Sequence, residues 1–214
     1  MLKIQRFVSN MLQENCYVVS DETKEAVVID CGAWFKEERQ AIVDYIDGNG
    51  LKPCHLLCTH GHFDHCSGND TIYNHYGLKP EAAKGDQWLM EGMVEQTEKI
   101  VGVRLNMDVP PVGRYLMPND EVTFGSHTLK VLATPGHTPG SVMFYCEAEH
   151  VVFSGDTLFK MSVGRTDFER GSYTAMVDSL QTIAKLPADT TVLSGHGAQT
   201  TIGDELMFNP FLNL

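Results

Sequence analysis

The stretch CTHGHFDHC, residues 58–66, packs three histidines, one aspartate and two cysteines into nine positions. The bracketing cysteines suggest a zinc knuckle, but the histidine spacing does not. His60, His62, Asp64 and His65 form the string H-x-H-x-D-H, which arises by chance in about one chain in a thousand of this composition. In an extended segment the i, i+2 spacing puts His60 and His62 on one side. Asp64 and His65 then need a turn to face a second point, a geometry that suits two metals better than one. A knuckle closes a tetrahedral shell of Cys and His. Cys58 and Cys66 stand eight apart, fit neither C-x2-C nor C-x4-C, and read as packing residues. A carboxylate among histidines suits an open catalytic site.

Working outward, strands alternate unevenly with helices. NCYVVS (15–20) and EAVVID (25–30) flank the charged turn DETK and read as a hairpin. Residues 34–47 carry Trp34, Phe35, Ala41, Ile42, Tyr45 and Ile46 on one stripe, predicting an amphipathic helix ended by GNG. CHLLCT (54–59) is a short strand running straight into the histidine cluster. Residues 69–77 predict a helix closed by Gly77, and 81–101 a further helix. The segment 102–118 reads as irregular. EVTFG (121–125), HTLKVLAT (127–134), SVMFYCE (141–147) and HVVFSG (150–155) predict four strands. Residues 172–186 predict a second amphipathic helix, and TTVLSG (190–195) a last strand. With no repeat or linker in view, the expected organisation is one domain over 1–214.

In this pattern a metal-capable residue repeatedly follows the end of a β-rich run. LLCT leads to His60, KVLATPG to His137, VVFSG to Asp156 and TVLSG to His196. Glycine precedes each of the last three and allows tight turning and close approach. Two sets assemble: His60, His62 and His137 on one metal, and Asp64, His65 and His196 on the other, with Asp156 bridging. His55, His75, His127 and His150 lie in or beside predicted elements and read as structural or surface residues.

Bulk properties narrow the function. A formal charge of −12, from 16 basic and 28 acidic residues, repels a phosphate backbone and excludes a general nucleic-acid partner. No apolar run approaches the roughly 18 residues of a membrane helix. The first twenty residues lack the apolar core and cleavage site of a signal peptide, so a cytoplasmic location is expected. The six cysteines are then expected to be free, buried thiols.

The motifs THGHFDH, TPGHTPGS, SGDTLF and GHG, in this order, resemble the metallo-β-lactamase superfamily over the whole chain. SVGRTDFERG (162–171) and GHGAQTTIGDELMFNPFL (195–212) resemble its short, single-domain glyoxalase II-like (hydroxyacylglutathione hydrolase-like) branch. The resemblance implies an α+β fold, a four-layer αββα sandwich with the metal site at one edge of the sheets. It also implies a binuclear metallohydrolase that cleaves a small-molecule thioester of the S-2-hydroxyacylglutathione kind. Two divalent ions per chain are expected, zinc by default, with iron or manganese accepted by the same ligands. Two such ions can share a hydroxide, with Asp64 as ligand and catalytic orienter. A thiolate leaving group, pKa near 8.5, needs little protonation, in keeping with the absence of a separate general acid.

Arg165 is the expected grip for an anionic substrate, with bracing against Asp167 or Asp156 as the alternative. Only 18 residues follow His196, too few for the glutathione-binding helical domain of full-length glyoxalase II, so the thiol carrier stays open. Residues 85–118, with Trp88 and several methionines, are expected to contribute to the acyl pocket. The rival expectations are a mononuclear iron enzyme resembling the persulfide dioxygenases, and a lactone or ester hydrolase of the same superfamily.

Overall fold

β2 (Glu14–Ser20) and β3 (Glu25–Ile29) form the antiparallel hairpin that the DETK turn predicts, and β1 (Lys3–Ser9) adds to its outer edge. β4 (Lys52–Leu57), β5 (Pro80–Ala83) and β6 (Arg114–Leu116) continue the same sheet in parallel, in the order β1 to β6. These elements are seen in a computed structural model that describes residues 1–104 and 107–212. The second sheet contains β7 (Glu121–Phe124), β8 (His127–Ala133), β9 (Val142–Cys146) and β10 (Val151–Gly155). A ribbon of β11 (Leu158–Phe159) and β12 (Ser162–Val163) follows; β13 (Thr191–Ser194) and β14 (Thr200–Thr201) then complete the sheet in the order β14-β13-β10-β9-β8-β7.

The alternation along each strand explains the layers. In β2, Tyr17 and Val19 point between the sheets and meet Phe144, Phe153, Leu129 and Val131. Cys16 and Val18 point the other way, onto Ile42 and Ile46 of α1 (Lys36–Gly48). With both faces covered, every residue of β2 is buried. The second sheet likewise turns Met143, Tyr145, Val152 and Val192 outward onto Met176, Leu180 and Ile183 of the helix at Tyr173–Ile183. The result is helix, sheet, sheet, helix. Each fully buried phenylalanine of the central layer contributes about 1.5–3 kcal/mol of transfer free energy.

The remaining helices are α2 (Phe63–Cys66), α3 (Asn69–Tyr76), α4 (Gln87–Glu91), α5 (Met93–Val101), the α6 just described (Tyr173–Ile183) and α7 (Ile202–Phe208). α3 closes at Gly77 in the left-handed conformation, as predicted. Three expectations shift. The first helix starts at Lys36, not residue 34, because the Glu38 carboxylate accepts from the Trp34 and Phe35 amides and fixes the chain entry there. Its buried face is Ile42, Val43 and Ile46, while Ala41 is exposed. The expected helix over 81–101 begins instead as strand β5, since parallel pairing with Leu56 and Leu57 overrides helix propensity, and Gly92 then separates α4 from α5. The segment taken as irregular supplies β6; its positions 105 and 106 lie outside the described residues. Among the described residues, no helix is long and apolar enough to cross a membrane.

Candidate metal centre

The four strand ends converge as their sequence pattern predicts. β4 delivers His60, β8 the loop bearing His137, β10 Asp156, and β13 His196. α2, a single turn, rotates Asp64 and His65 away from His62. Two donor groups result: His60, His62 and His137, and Asp64, His65 and His196, each with its donor atoms within 4.8 Å of one another. Asp156 reaches both, with Oδ1 3.3 Å from His65 Nε2 and Oδ2 3.6 Å from His137 Nε2. Oδ2 also lies 3.7 Å from His196 Nε2, and Asp64 Oδ2 lies 3.3 Å from the same nitrogen. Gly195 makes the convergence possible, since a Cβ there would sit 2.5 Å from both Asp156 Oδ1 and His65 Cε1.

Each ring is oriented from behind. His65 Nδ1 donates to Asp30 Oδ2 at 3.1 Å, His137 Nδ1 to the Arg165 carbonyl at 2.7 Å, and His196 Nδ1 to the Leu12 carbonyl at 3.0 Å. Thr59 Oγ1 donates to Asp30 and accepts from His60 Nδ1. These partners hold the protons on Nδ1 and leave Nε2 lone pairs facing inward. His137 Nε2 then confronts His62 Nδ1 at 2.9 Å, and His65 Nε2 confronts His196 Nε2 at 3.3 Å. His60 Nε2 and Asp156 Oδ1 are buried with no hydrogen-bond partner. Lone pairs held head to head, with orphaned acceptors beside them, are what a cation's ligands present, and an all N/O donor set of this kind fits a divalent ion.

The electrostatics are two-toned. Burial and the neighbouring His137 push His62 down to about 4, and burial likewise lowers His60 well below its ordinary value, so both are neutral imidazoles. At His65 and His196 burial also acts downward, but the Asp156 and Asp64 carboxylates outweigh it and raise both. The carboxylates are lowered in return, against their own burial.

Two supporting residues lack any motif signal. Asp30 ends β3 and accepts from the Thr59 amide at 2.7 Å as well as from Thr59 Oγ1 and His65. It falls within 4.8 Å of His60 and His65, but it meets His65 on the Nδ1 side, away from Asp156, and so supports rather than joins the donor set. Asp86 accepts from the Gly61 amide (2.9 Å), Thr138 Oγ1 (2.6 Å) and the Gly140 amide (2.7 Å), tying the His60–His62 loop to the His137 loop. The sequence offers only an aspartate in a Lys-Gly-Asp turn; its reach across 52 residues to Thr138 has no local signature.

The other expected features fall as follows. All six cysteines are free, and Cys58 and Cys66 are buried with Phe63, Met90 and Met93. His55, His75, His127 and His150 each pair with a carboxylate: Glu81, Asp47, Asp21 and Asp189, respectively. Arg165 lines the cavity over the centre, but its guanidinium is engaged. Nε and Nη2 donate to the two Asp167 carboxylate oxygens at 2.7 Å each, and the plane lies 4.2 Å from the Phe168 ring. That guanidinium holds the Asp167 carboxyl down at about 2. Of the segment 85–118, Ile100 lines the cavity; Trp88 does not, and carries Arg170 over its ring instead.

The chain belongs to the metallo-β-lactamase superfamily, whose family profile matches residues 10–196. It is 34% identical to a Haemophilus influenzae protein named hydroxyacylglutathione hydrolase GloC, over 94% of this chain and 93% of that one. Among solved structures it is similar to BLEG-1, described as a B3 metallo-β-lactamase (TM-score 0.90, 35% identity, full coverage of both chains). It is similar also to TTHA1623 in a di-iron-bound form (0.85, 35%, 97% of this chain and all of that one) and to ETHE1 from Myxococcus xanthus (0.76, 26%, 97% and 83%). A likeness at 35% to a protein described as a β-lactamase means that family membership does not by itself separate thioester from β-lactam hydrolysis.

Proposed function

We propose that the protein is a binuclear metal-dependent thioester hydrolase of the glyoxalase II kind. His60, His62 and His137 would hold one divalent ion and Asp64, His65 and His196 the second, with Asp156 shared. The observation that carries this reading is the composition of the cavity wall. Besides the donor groups, the cavity is lined by Leu12, Phe63, Ile100, Phe159, Gly164, Phe168 and the engaged Arg165. Apart from the donor sets themselves, that lining offers, among the described residues, no group able to protonate a leaving alkoxide or amine. A thiolate, pKa near 8.5, departs without one.

Bound ions would supply Lewis acidity and a nucleophilic oxygen at neutral pH. The chain's own contributions are positional. Nδ1 protons held by Asp30, Leu12, Arg165 and Thr59 fix the four rings. Asp64 orients the attacking water, and the Phe168 ring, edge-on to His62 at 5.2 Å, keeps bulk water from that side.

The test is metal content of the purified chain together with turnover of S-D-lactoylglutathione, nitrocefin, a simple lactone and glutathione persulfide. Two ions per chain and thioester cleavage abolished by chelation are expected. Nitrocefin or lactone cleavage with thioesters inert would overturn the substrate class. One iron per chain with oxygen consumed on the persulfide would replace the hydrolase by a dioxygenase, the reading that the likeness to ETHE1 keeps in view.

A further inference from the structure

The wall of the cavity says more about the acyl group than about the thiol carrier. The cavity, about 260 Å³, opens over both donor groups. Its apolar lining comes from separate parts of the chain: Leu12 from the β1–β2 turn, Phe63 from α2, Ile100 from α5, Phe159 from β11 and Phe168 from the loop after β12. Leu12 and Ile100 are about half exposed, at 43% and 47%, so they have surface left to bury against a ligand. Hydrogen-bonding side chains in the lining are the donor sets, already converging on the ion positions, and Arg165, already bidentate on Asp167. Among the described lining residues, none remains to receive a hydroxyl on the carbon next to the thioester carbonyl.

We infer that the acyl group this site selects is an unsubstituted aliphatic chain, gripped by Leu12, Ile100, Phe159 and Phe168, in preference to a 2-hydroxyacyl group. The inference rests on the thioester reading above and narrows it. A site built to hydrogen-bond a substrate hydroxyl rejects the analogue lacking it by about 10⁴-fold or more, whereas an apolar wall tolerates the analogue and penalises the hydroxyl by up to about a hundredfold. Each methylene that the wall buries should strengthen binding by about two- to fourfold, the upper figure being the transfer free energy of one fully buried CH2.

One carrier is kept throughout, so that only the acyl part varies. KM and kcat are measured for acetyl, propionyl, butyryl, hexanoyl and D-lactoyl thioesters of glutathione. Kd is measured calorimetrically for the unreactive thioethers S-methyl-, S-butyl- and S-hexylglutathione on the metal-loaded protein. Expected are a Kd falling about thirtyfold or more from methyl to hexyl, a KM falling in parallel, and a propionyl KM at or below the lactoyl KM. In Leu12→Ala and Ile100→Ala the methyl-to-hexyl ratio of Kd should shrink about three- to tenfold, each ratio being internal to one variant. Kd flat with length, or a lactoyl KM more than tenfold below propionyl, would sink the inference and leave the thioester reading standing. A steep Kd series with no thioester hydrolysed would do the reverse, removing the thioester reading while the aliphatic wall held.

Discussion

At the residue scale the centre depends on groups that would never touch a substrate. Asp86 is the clearest. Its Oδ2 receives two donors, the Gly61 amide and the Thr138 hydroxyl, so Asp86→Asn would place an NH2 against one or both of them. Leaving buried donors unpaired costs about 1–3 kcal/mol each, and the loops of His60, His62 and His137 would lose their tie. The expected outcome is a urea midpoint lowered by an amount equivalent to about 2–4 kcal/mol and a metal affinity reduced about 10- to 100-fold, read by denaturation and by competition with a chromophoric chelator. An unchanged affinity in a folded variant would show that the two loops hold their places without it. The donor residues were legible in sequence because they are chemically conspicuous and because His60, His137, Asp156 and His196 each follow a strand. Asp30 and Asp86 were not, because an acceptor for a distant amide looks like any other aspartate until the chain is folded.

At the element scale, the β7–β8 hairpin is pinned to the end of β2 by a buried charged cluster. Asp21 accepts from the Thr23 and Ser126 amides and from His127 Nδ1 at 2.9 Å, while His127 Nε2 donates to Glu149 at 3.0 Å. Burial acts to raise Asp21, but these hydrogen bonds overcome it and hold the carboxyl well below its usual range. Burial acts to lower His127, but Asp21 and Glu149 overcome it and raise the imidazole. A raised histidine contributes stability fully present below its unfolded pKa, near 6.5, and lost as pH climbs through the folded value. His127→Gln should therefore destabilise more at pH 5.5 than at pH 9, a contrast of about 1 kcal/mol in urea unfolding. Equal losses at both pH values would mean that the pair acts through packing alone.

Elements also show where local reading ends. Strands β7 to β10 read as β-rich runs with their own turns, α6 carried its own apolar stripe, and α3 its closing glycine. β5 did not: Pro80-Glu-Ala-Ala reads as the start of a helix, and becomes a strand only because Leu56 and Leu57 offer it a parallel partner. β1 is a mostly exposed edge, with weak hydrophobic contrast and nothing to mark it beyond its pairing with β2.

For the whole molecule, the donor groups bridge the two sheets at one edge, alongside the apolar core between them and direct hydrogen bonds such as Tyr17 Oη to the Ser194 carbonyl. β4 and α2 hang from one sheet; β8, β10 and β13 belong to the other. Ions held across that division would bind the native state in preference to the unfolded chain, which would stabilise it by about 4 kcal/mol at a thousandfold excess over Kd. In a chain of this size that corresponds to a Tm shift on the order of 10 °C. Chelation should lower Tm by that amount and stoichiometric zinc or iron should restore it; a Tm indifferent to chelator would argue against donor sets that bind ions tightly.

Leu12 and Arg165 have a double employment. Their carbonyl oxygens hold His196 and His137, while their side chains face the cavity. Every amino acid brings the same carbonyl. A mutation at either codon can therefore reshape what the pocket admits without disturbing how the histidines are held, so the range of acceptable substrates can drift through single substitutions while the hydrolytic apparatus is inherited intact.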